Sequence, residues 1–260
     1  MARGNDPDLL KSGEGLALLA GQLIRAGFVD ASDCPGGGLI DMGYANMCGN
    51  EKTRDLVVEW QNRSNPAILK AAQESGIPPW LLKGLIAQET QFWPQWEKDG
   101  EFGYGMLTEK GMDMLLNWNI PYFLELCNTY YTPDDCNQGY SSLSENQQRF
   151  LRGACLLSIG TDDEYRLLSG MLRASCAQSN QLVKNITKKD ADDLFSYEEM
   201  WRLSLGVYNA GSGCVGDALS KAWARDKKDM GWDAISGHFT PACKTAAGYF
   251  DKVTAFSRAQ

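Results

Sequence analysis

Apolar residues along this chain recur at helical spacing, and no run alternates as a half-buried strand does. That pattern confines the chain to a mainly α architecture. Its 260 residues suffice for one large domain or two small ones. No composition break separates two domains, and no internal repeat is visible. The longest apolar stretch, Gly15 to Ile24, is far too short to span a bilayer, so no membrane span is expected.

The eight cysteines, Cys34, Cys48, Cys127, Cys136, Cys155, Cys176, Cys214 and Cys243, are even in number and contain no Cys-x-x-Cys pair. Zinc ribbons and thioredoxin-type chemistry are therefore disfavoured, and an oxidising compartment is favoured. Short loops favour Cys34–Cys48 and Cys127–Cys136, which leaves Cys155–Cys176 and Cys214–Cys243. The chain opens in a polar stretch with no signal-peptide core. Either it is the mature part of a secreted protein with an added Met, or the cysteines are reduced; the first is the expectation taken. The single histidine, His238, lies in Gly-His-Phe-Thr-Pro, which reads as a turn. A Ser-His-Asp triad or a multi-histidine metal site is thus not expected, and neither metal nor cofactor is assigned. A net charge of −8 without basic runs argues against a nucleic-acid partner.

The periodicity predicts helices over Asp8–Ala26 and Lys52–Gln61, and one from Asn65-Pro66 to Gly76 with Asn65 as N-cap. Pro78-Pro79 opens the next, Trp80 to about Phe92. Residues 120–145 read as a cysteine-bearing loop. Helices follow over Asn146–Ile159 and Tyr165–Val183, with a polar, mobile excursion expected over Asn180–Asp193. Ser196-Tyr-Glu-Glu199 is a capping box that starts a helix ending at Asn209-Ala-Gly211. A short helix over Val215–Trp223 and a last one from about Pro241 to Phe256 complete the chain.

Glu89 follows Leu82, Leu85 and Ile86 by seven, four and three residues, which puts it on the apolar face of its own helix. Burial and the negative end of the helix dipole both disfavour its ionised form, as suits a proton donor. Phe92, Trp93 and Trp96 follow, then Gly103-Tyr-Gly-Met-Leu-Thr108. Aromatic faces suit pyranose rings, and glycines admit a close ligand. The same residues also fit plain roles, with Glu89 turned to solvent and the aromatics in a core.

Pro79-Trp-Leu-Leu-Lys-Gly-Leu-Ile-Ala-Gln-Glu-Thr-Gln-Phe-Trp-Pro94, Gly103-Tyr-Gly-Met-Leu-Thr108 and Val207-Tyr-Asn-Ala-Gly-Ser-Gly213, in that order, resemble the three motifs of the soluble lytic transglycosylase family of the lysozyme superfamily. The likeness spans about residues 64–111 and 196–256. Thr90 stands where the family has Ser, and Met106 (or, in another register, Thr108) where it has Gln. The resemblance implies a mainly α, lysozyme-like single domain over 63–260. Residues 1–62 would be a disulfide-stapled N-terminal extension packed on it, and about 120–195 a cysteine-bearing insertion. It implies cleavage of the MurNAc-β-1,4-GlcNAc bond of peptidoglycan strands outside the cytoplasm, with 1,6-anhydro ends. Glu89 would act as acid and then base, with Tyr208 beside it. Thr90, Trp93, Gly103, Tyr104, Gly105, Met106 and Asn209 would line the cleft. Tyr208 also fits as a core aromatic and Asn209 as a C-cap. A hydrolysing muramidase or chitinase-like glycosidase needs a second carboxylate. The nearest are Glu97, Asp99 and Glu101, which read as solvated loop charges. A glycan-binding protein without activity is the third possibility.

Overall fold

The computed structural model describes residues 6–94, 97–227 and 230–258. Among these the chain is mainly helical, with isolated β-bridges and no strand. No helix among them is long and apolar enough to cross a membrane. Two units emerge, one comprising Met1–Leu107, Ile159–Arg166 and Val253–Gln260, the other Thr108–Ser158 and Leu167–Lys252. Residues 1–62 and the Glu89 helix lie in the same unit.

In the first unit, α1 (Ala17–Arg25), α2 (Met47–Asn62), α3 (Asn65–Ser75) and α4 (Pro79–Thr90) form where the apolar spacing is helical. The expected long helix over Asp8–Ala26 is instead a 3-10 turn, Pro7–Leu10, followed by α1. Ser12, Gly13 and Gly15 interrupt it, and side chains of α2 take over the freed backbone groups. Ser12 N–H donates to Asn62 Oδ1 (2.9 Å) and Glu14 N–H to Gln61 Oε1 (3.1 Å), while Asn62 Nδ2 donates to Ser12 O (2.7 Å). Asn65 is not the N-cap of α3 but its first residue; its amide donates to Pro7 O (3.3 Å) and Asn62 Oδ1 (3.2 Å). Gly76 ends α3 in the left-handed region, as expected. Helix α4 is buried continuously from Leu81 to Ala87, Lys83 included. The Lys83 ammonium donates to Leu10 O and to Asn62 Oδ1 (2.9 Å) and lies 5.7 Å from the Phe92 ring centroid. Burial pushes this group down to about 8.

In the second unit, α5 (Glu109–Trp118) starts at Thr108, whose hydroxyl accepts from Gly111 N–H (3.0 Å). Residues 120–145 are not a loop. They form α6 (Ile120–Tyr130) and α7 (Pro133–Asn137), each with Pro in its first turn and a side-chain N-cap, Asn119 and Thr132. Capping boxes at Ser144 and Ser196 start α8 (Glu145–Leu156) and α10 (Tyr197–Arg225). Between them α9 (Asp163–Thr187), whose first turn belongs to the first unit, runs helical through the first part of the expected excursion; residues 188–190 are irregular and Ala191–Asp193 forms a 3-10 turn. Helix α10 is broken at Gly211, whose φ of 83° and ψ of 159° interrupt the ladder at the expected end of its first half. Val183, Phe195, Met200, Leu203, Val207, Leu219, Trp232 and Ile235 form a core between α9, α10 and α11 (Trp232–Ser236). The chain closes with a 3-10 segment, Pro241–Gly248, and α12 (Tyr249–Arg258).

Three disulfides form as expected, Cys34–Cys48, Cys127–Cys136 and Cys214–Cys243. The fourth does not. Cys155 and Cys176 are free thiols, because α8 turns Cys155 to Tyr122 and α9 turns Cys176 to Ser204 and Asn180. Burial pushes the Cys155 thiol up to about 12 and raises that of Cys176.

Candidate functional site

Glu89 stands in the last turn of α4, where the helix leaves the core. Leu82, Leu85 and Ile86 are fully buried, and Glu89 is half-buried. The next residue, Thr90, is buried and joins two segments of sequence: its hydroxyl donates to Ile86 O (3.3 Å) in its own helix and to Tyr104 O (3.2 Å) in the glycine-rich loop.

The chain then bends through conformations that side chains resist. Gln91 (φ 48°) and Phe92 (φ 62°) are both left-handed, and so are Asp99 (φ 57°) and Met106 (φ 50°). Four of the six non-glycine residues with positive φ among the described residues fall in this one stretch of sixteen positions. Such strain persists only where surrounding contacts enforce it, and it gathers at functional sites. Here the contacts are visible. Gln91 Oε1 accepts from Leu18 N–H (2.9 Å) and Leu19 N–H (3.3 Å), capping α1, whose own N-cap position, Leu16, supplies no side-chain bond. Phe92 is buried, and its carbonyl accepts from Trp60 Nε1 (3.0 Å).

The glycine-rich loop is pinned in the same way. Bridges between Lys98 and Glu101 and between Phe102 and Leu107 shape it. Glu164, in the first turn of α9, lies beneath it at 1% exposure. Tyr104 N–H donates to Glu164 Oε1, and Gly160 N–H to Oε2 (2.8 Å). Burial pushes the Glu164 carboxyl up against the downward pull of these two donors. Gly103 has a φ of 67°, and a Cβ there would stand 2.3 Å from Glu164 Oε1, so only glycine fits. The Tyr104 ring stacks on Tyr165 at 5.7 Å, and Tyr165 donates to Ser64 Oγ (2.6 Å).

Of the residues expected to line a cleft, Thr90, Gly103, Tyr104 and Gly105 are buried, while Trp93 and Met106 are half-buried. Tyr104 is thus spent on packing, and Thr90 on holding the loop. Trp96 lies outside the described residues. Glu97 and Asp99 are exposed, and Glu97 Oε1 accepts from Gly100 N–H (2.9 Å), as befits solvated loop charges. Tyr208 and Asn209 belong to the other unit. There Tyr208 is half-buried just before the Gly211 break, its ring 6.5 Å from that of Tyr249, and Asn209 is exposed.

Sequence reasoning missed Glu164, Gln91, Trp60 and Lys83. Glu164 looks like any acid in a first helical turn, and Gln91 like any loop amide. Their roles depend on contacts across 60 and 73 positions.

The second unit holds a polar cavity of about 690 Å³, lined by Glu199, Arg202, Arg225, Trp232, Asp233 and Asp251 among others. Its principal charges are already engaged: Arg202 pairs with Glu198 (2.9 Å) and Asp251 (3.0 Å), and Glu199 closes the Ser196 capping box. His238 Nε2 is buried with no partner among the described residues. No group of three or more His, Cys, Asp or Glu side chains among the described residues gathers to hold a metal.

No protein-family model matches the chain, and neither a curated protein nor a solved structure matches it.

Proposed function

We propose that the protein is a lytic transglycosylase acting on peptidoglycan, with Glu89 as its acid and base. The observation that carries this reading is the joint at Thr90. There the helix bearing Glu89 and the Gly103–Met106 loop, the first two segments of the family resemblance, are tied by one hydroxyl in one unit. Glu89 is half-buried in the last turn of that helix, directly before Thr90.

In this mechanism Glu89 protonates the glycosidic oxygen, and the C1–O bond breaks. The substrate's own N-acetyl group stabilises the positive charge developing at C1. The C6 hydroxyl of the muramoyl residue then attacks C1 and returns its proton to Glu89. No water enters the product, and one enzymic carboxylate suffices, which suits a chain whose Glu97 and Asp99 are exposed, whose Glu101 is half-buried and whose Glu164 is sealed in. Met106 stands near the expected place of an amide and offers the substrate only an apolar contact. Three disulfides and this substrate suit an extracytoplasmic setting.

Digestion of purified peptidoglycan is expected to release muropeptides one water lighter than hydrolysis products and without reducing ends. Glu89→Gln is expected to abolish release while leaving the melting curve unchanged. Reducing-end products would replace this reading with hydrolysis, and binding without any product would replace it with a glycan-binding role.

A further inference from the structure

Beside the end of α4, a stack of side chains joins the N-terminal segment to the residue three places beyond Thr90. Trp93 lies against Trp60 of α2, with ring centroids 5.8 Å apart and planes 15° from parallel. The Arg63 guanidinium lies 3.4 Å from the Trp60 ring centroid, and Phe28 meets Trp60 edge-on at 5.4 Å. Trp60 also donates its ring N–H to Phe92 O. Trp60 is thereby fully engaged, by Trp93, by Arg63, by Phe28 and through its N–H.

Trp93 differs. Among the described residues it has one ring partner, Trp60. It remains half-buried, and Phe28 beside the stack is 57% exposed. An indole left partly open, supported by a partner that is itself immobilised, has its plane set before any ligand arrives. This lowers the ordering cost of binding. A flat apolar face matches a pyranose ring, which offers axial C–H groups to it.

We infer that Trp93, propped by Trp60 and flanked by Phe28, is the stacking platform of a sugar subsite that the first 62 residues build on the flank of Glu89. Its ligand is a β-1,4-linked N-acetylated hexosamine strand. The choice of ligand rests on the glycan-cleaving reading; the support of the platform rests on residues outside the motifs behind that reading, since Phe28 and Trp60 lie in the N-terminal segment and Arg63 directly follows it. Trp93 is then a contact residue and Trp60 a positioning residue. The segment would act as part of the binding surface, not as a peripheral staple.

The test uses Glu89→Gln protein, so that binding is measured without turnover, and chitotetraose as the soluble probe, followed by calorimetry. Adding Trp93→Ala is expected to weaken binding about tenfold, and Trp93→Phe to recover most of it. Trp60→Phe, which keeps a ring but loses the bond to Phe92 O, is expected to fall between them. In otherwise unaltered protein, Trp93→Ala is expected to raise the half-saturating peptidoglycan concentration far more than it lowers kcat. A loss in kcat alone would assign Trp93 a structural role and overturn the subsite. Unchanged tetrasaccharide affinity in Trp93→Ala would overturn it too, while anhydro-muropeptide release by the parent would leave the enzymatic reading standing. Conversely, no release by the parent together with Trp93-dependent tetrasaccharide binding would uphold the subsite and sink the enzymatic reading. Tetrasaccharide failing to bind the parent at all would remove the platform.

Discussion

Two irregular stretches of this chain are held in opposite ways. The one that begins in the last turn of α6, residues 127–144, is stapled by Cys127–Cys136, and most of its bonds are local. Thr132 caps α7, Ser142 donates to Gln138 O (2.9 Å), and Ser144 closes a capping box. Its one positive φ belongs to a glycine, Gly139. The stretch after α4, residues 91–106, contains no cysteine, and four of its side-chain-bearing residues have positive φ. Its holders come from far along the chain: Leu18, Leu19 and Trp60 at one end, Glu164 at the other. A connector needs only local turn chemistry and a staple. A segment that keeps strained backbone by remote contacts is being positioned. The difference separates a locally stapled excursion from a segment positioned by remote contacts.

The sharpest way to break that contrast is to remove Glu164. Glu164→Ala leaves the buried Tyr104 N–H without its acceptor and empties a buried site, at an expected cost of about 2–4 kcal/mol, while the exposed Gly160 N–H can turn to water. Glu164→Gln keeps one acceptor oxygen and is expected to cost less. If denaturant melts show no loss in Glu164→Ala, the loop is not held from below. The parent also differs from Glu164→Gln in its pH dependence. A carboxyl raised on folding contributes stability that is fully present below its ordinary value of 4.5 and is lost as pH rises through the raised one. The parent's advantage over the Gln variant is therefore expected to shrink as pH climbs out of the acid range.

The staple offers the opposite test. Replacing Cys127 and Cys136 together by Ala removes a short loop closure, at about 2–3 kcal/mol. Peptidoglycan release per folded molecule is expected to stay at the parent's level. A fall in kcat for this variant would bring residues 127–144 into the site and dissolve the distinction. A smaller change, Gln91→Gly, relieves the left-handed backbone but uncaps α1. It is expected to cost about 1 kcal/mol and, by loosening the end of α4, to lower kcat several-fold. Unchanged kcat together with unchanged stability would show that Gln91 holds nothing.

The two stretches also mark what could be read in advance. Helices α4 and α10 were legible because apolar spacing, prolines and a capping box are local signals. Cys34–Cys48 and Cys127–Cys136 followed from short loops. The break near Asn209–Gly211 was legible from a glycine. By contrast, α6 was hidden because cysteines and aromatics masked its Phe123 and Cys127 stripe, both of which are buried. The Asp8–Ala26 helix was overdrawn because its leucines satisfy the helical period, while the side chains that claim the intervening backbone lie on α2. Glu89, Thr90 and Trp93 could be singled out by position along one helix. Their supports could not, since no periodicity links residue 91 to 18 or residue 104 to 164.

The finest test falls on Lys83, which fastens the same helix to Leu10 and Asn62. Burial lowers this ammonium from 10.5 to about 8. A lysine depressed on folding contributes stability that is full above its unfolded value and is lost as pH falls toward the folded one. Between pH 10.5 and about 8 the parent is therefore expected to lose stability relative to Lys83→Met, a variant that cannot titrate there. The oxygens of Leu10 and Asn62 favour the charged form and oppose the shift, so the change is expected to stay below about 2 kcal/mol. Paired urea titrations at several pH values measure it as a difference, which cancels the titration of exposed lysines common to both proteins. A difference that stays flat across the window would mean that the ammonium is as well solvated by those two oxygens as by water. Lys83 would then serve as a plain tether of the N-terminal segment, and the hold on α4 would rest on Gln91 and Trp60 alone.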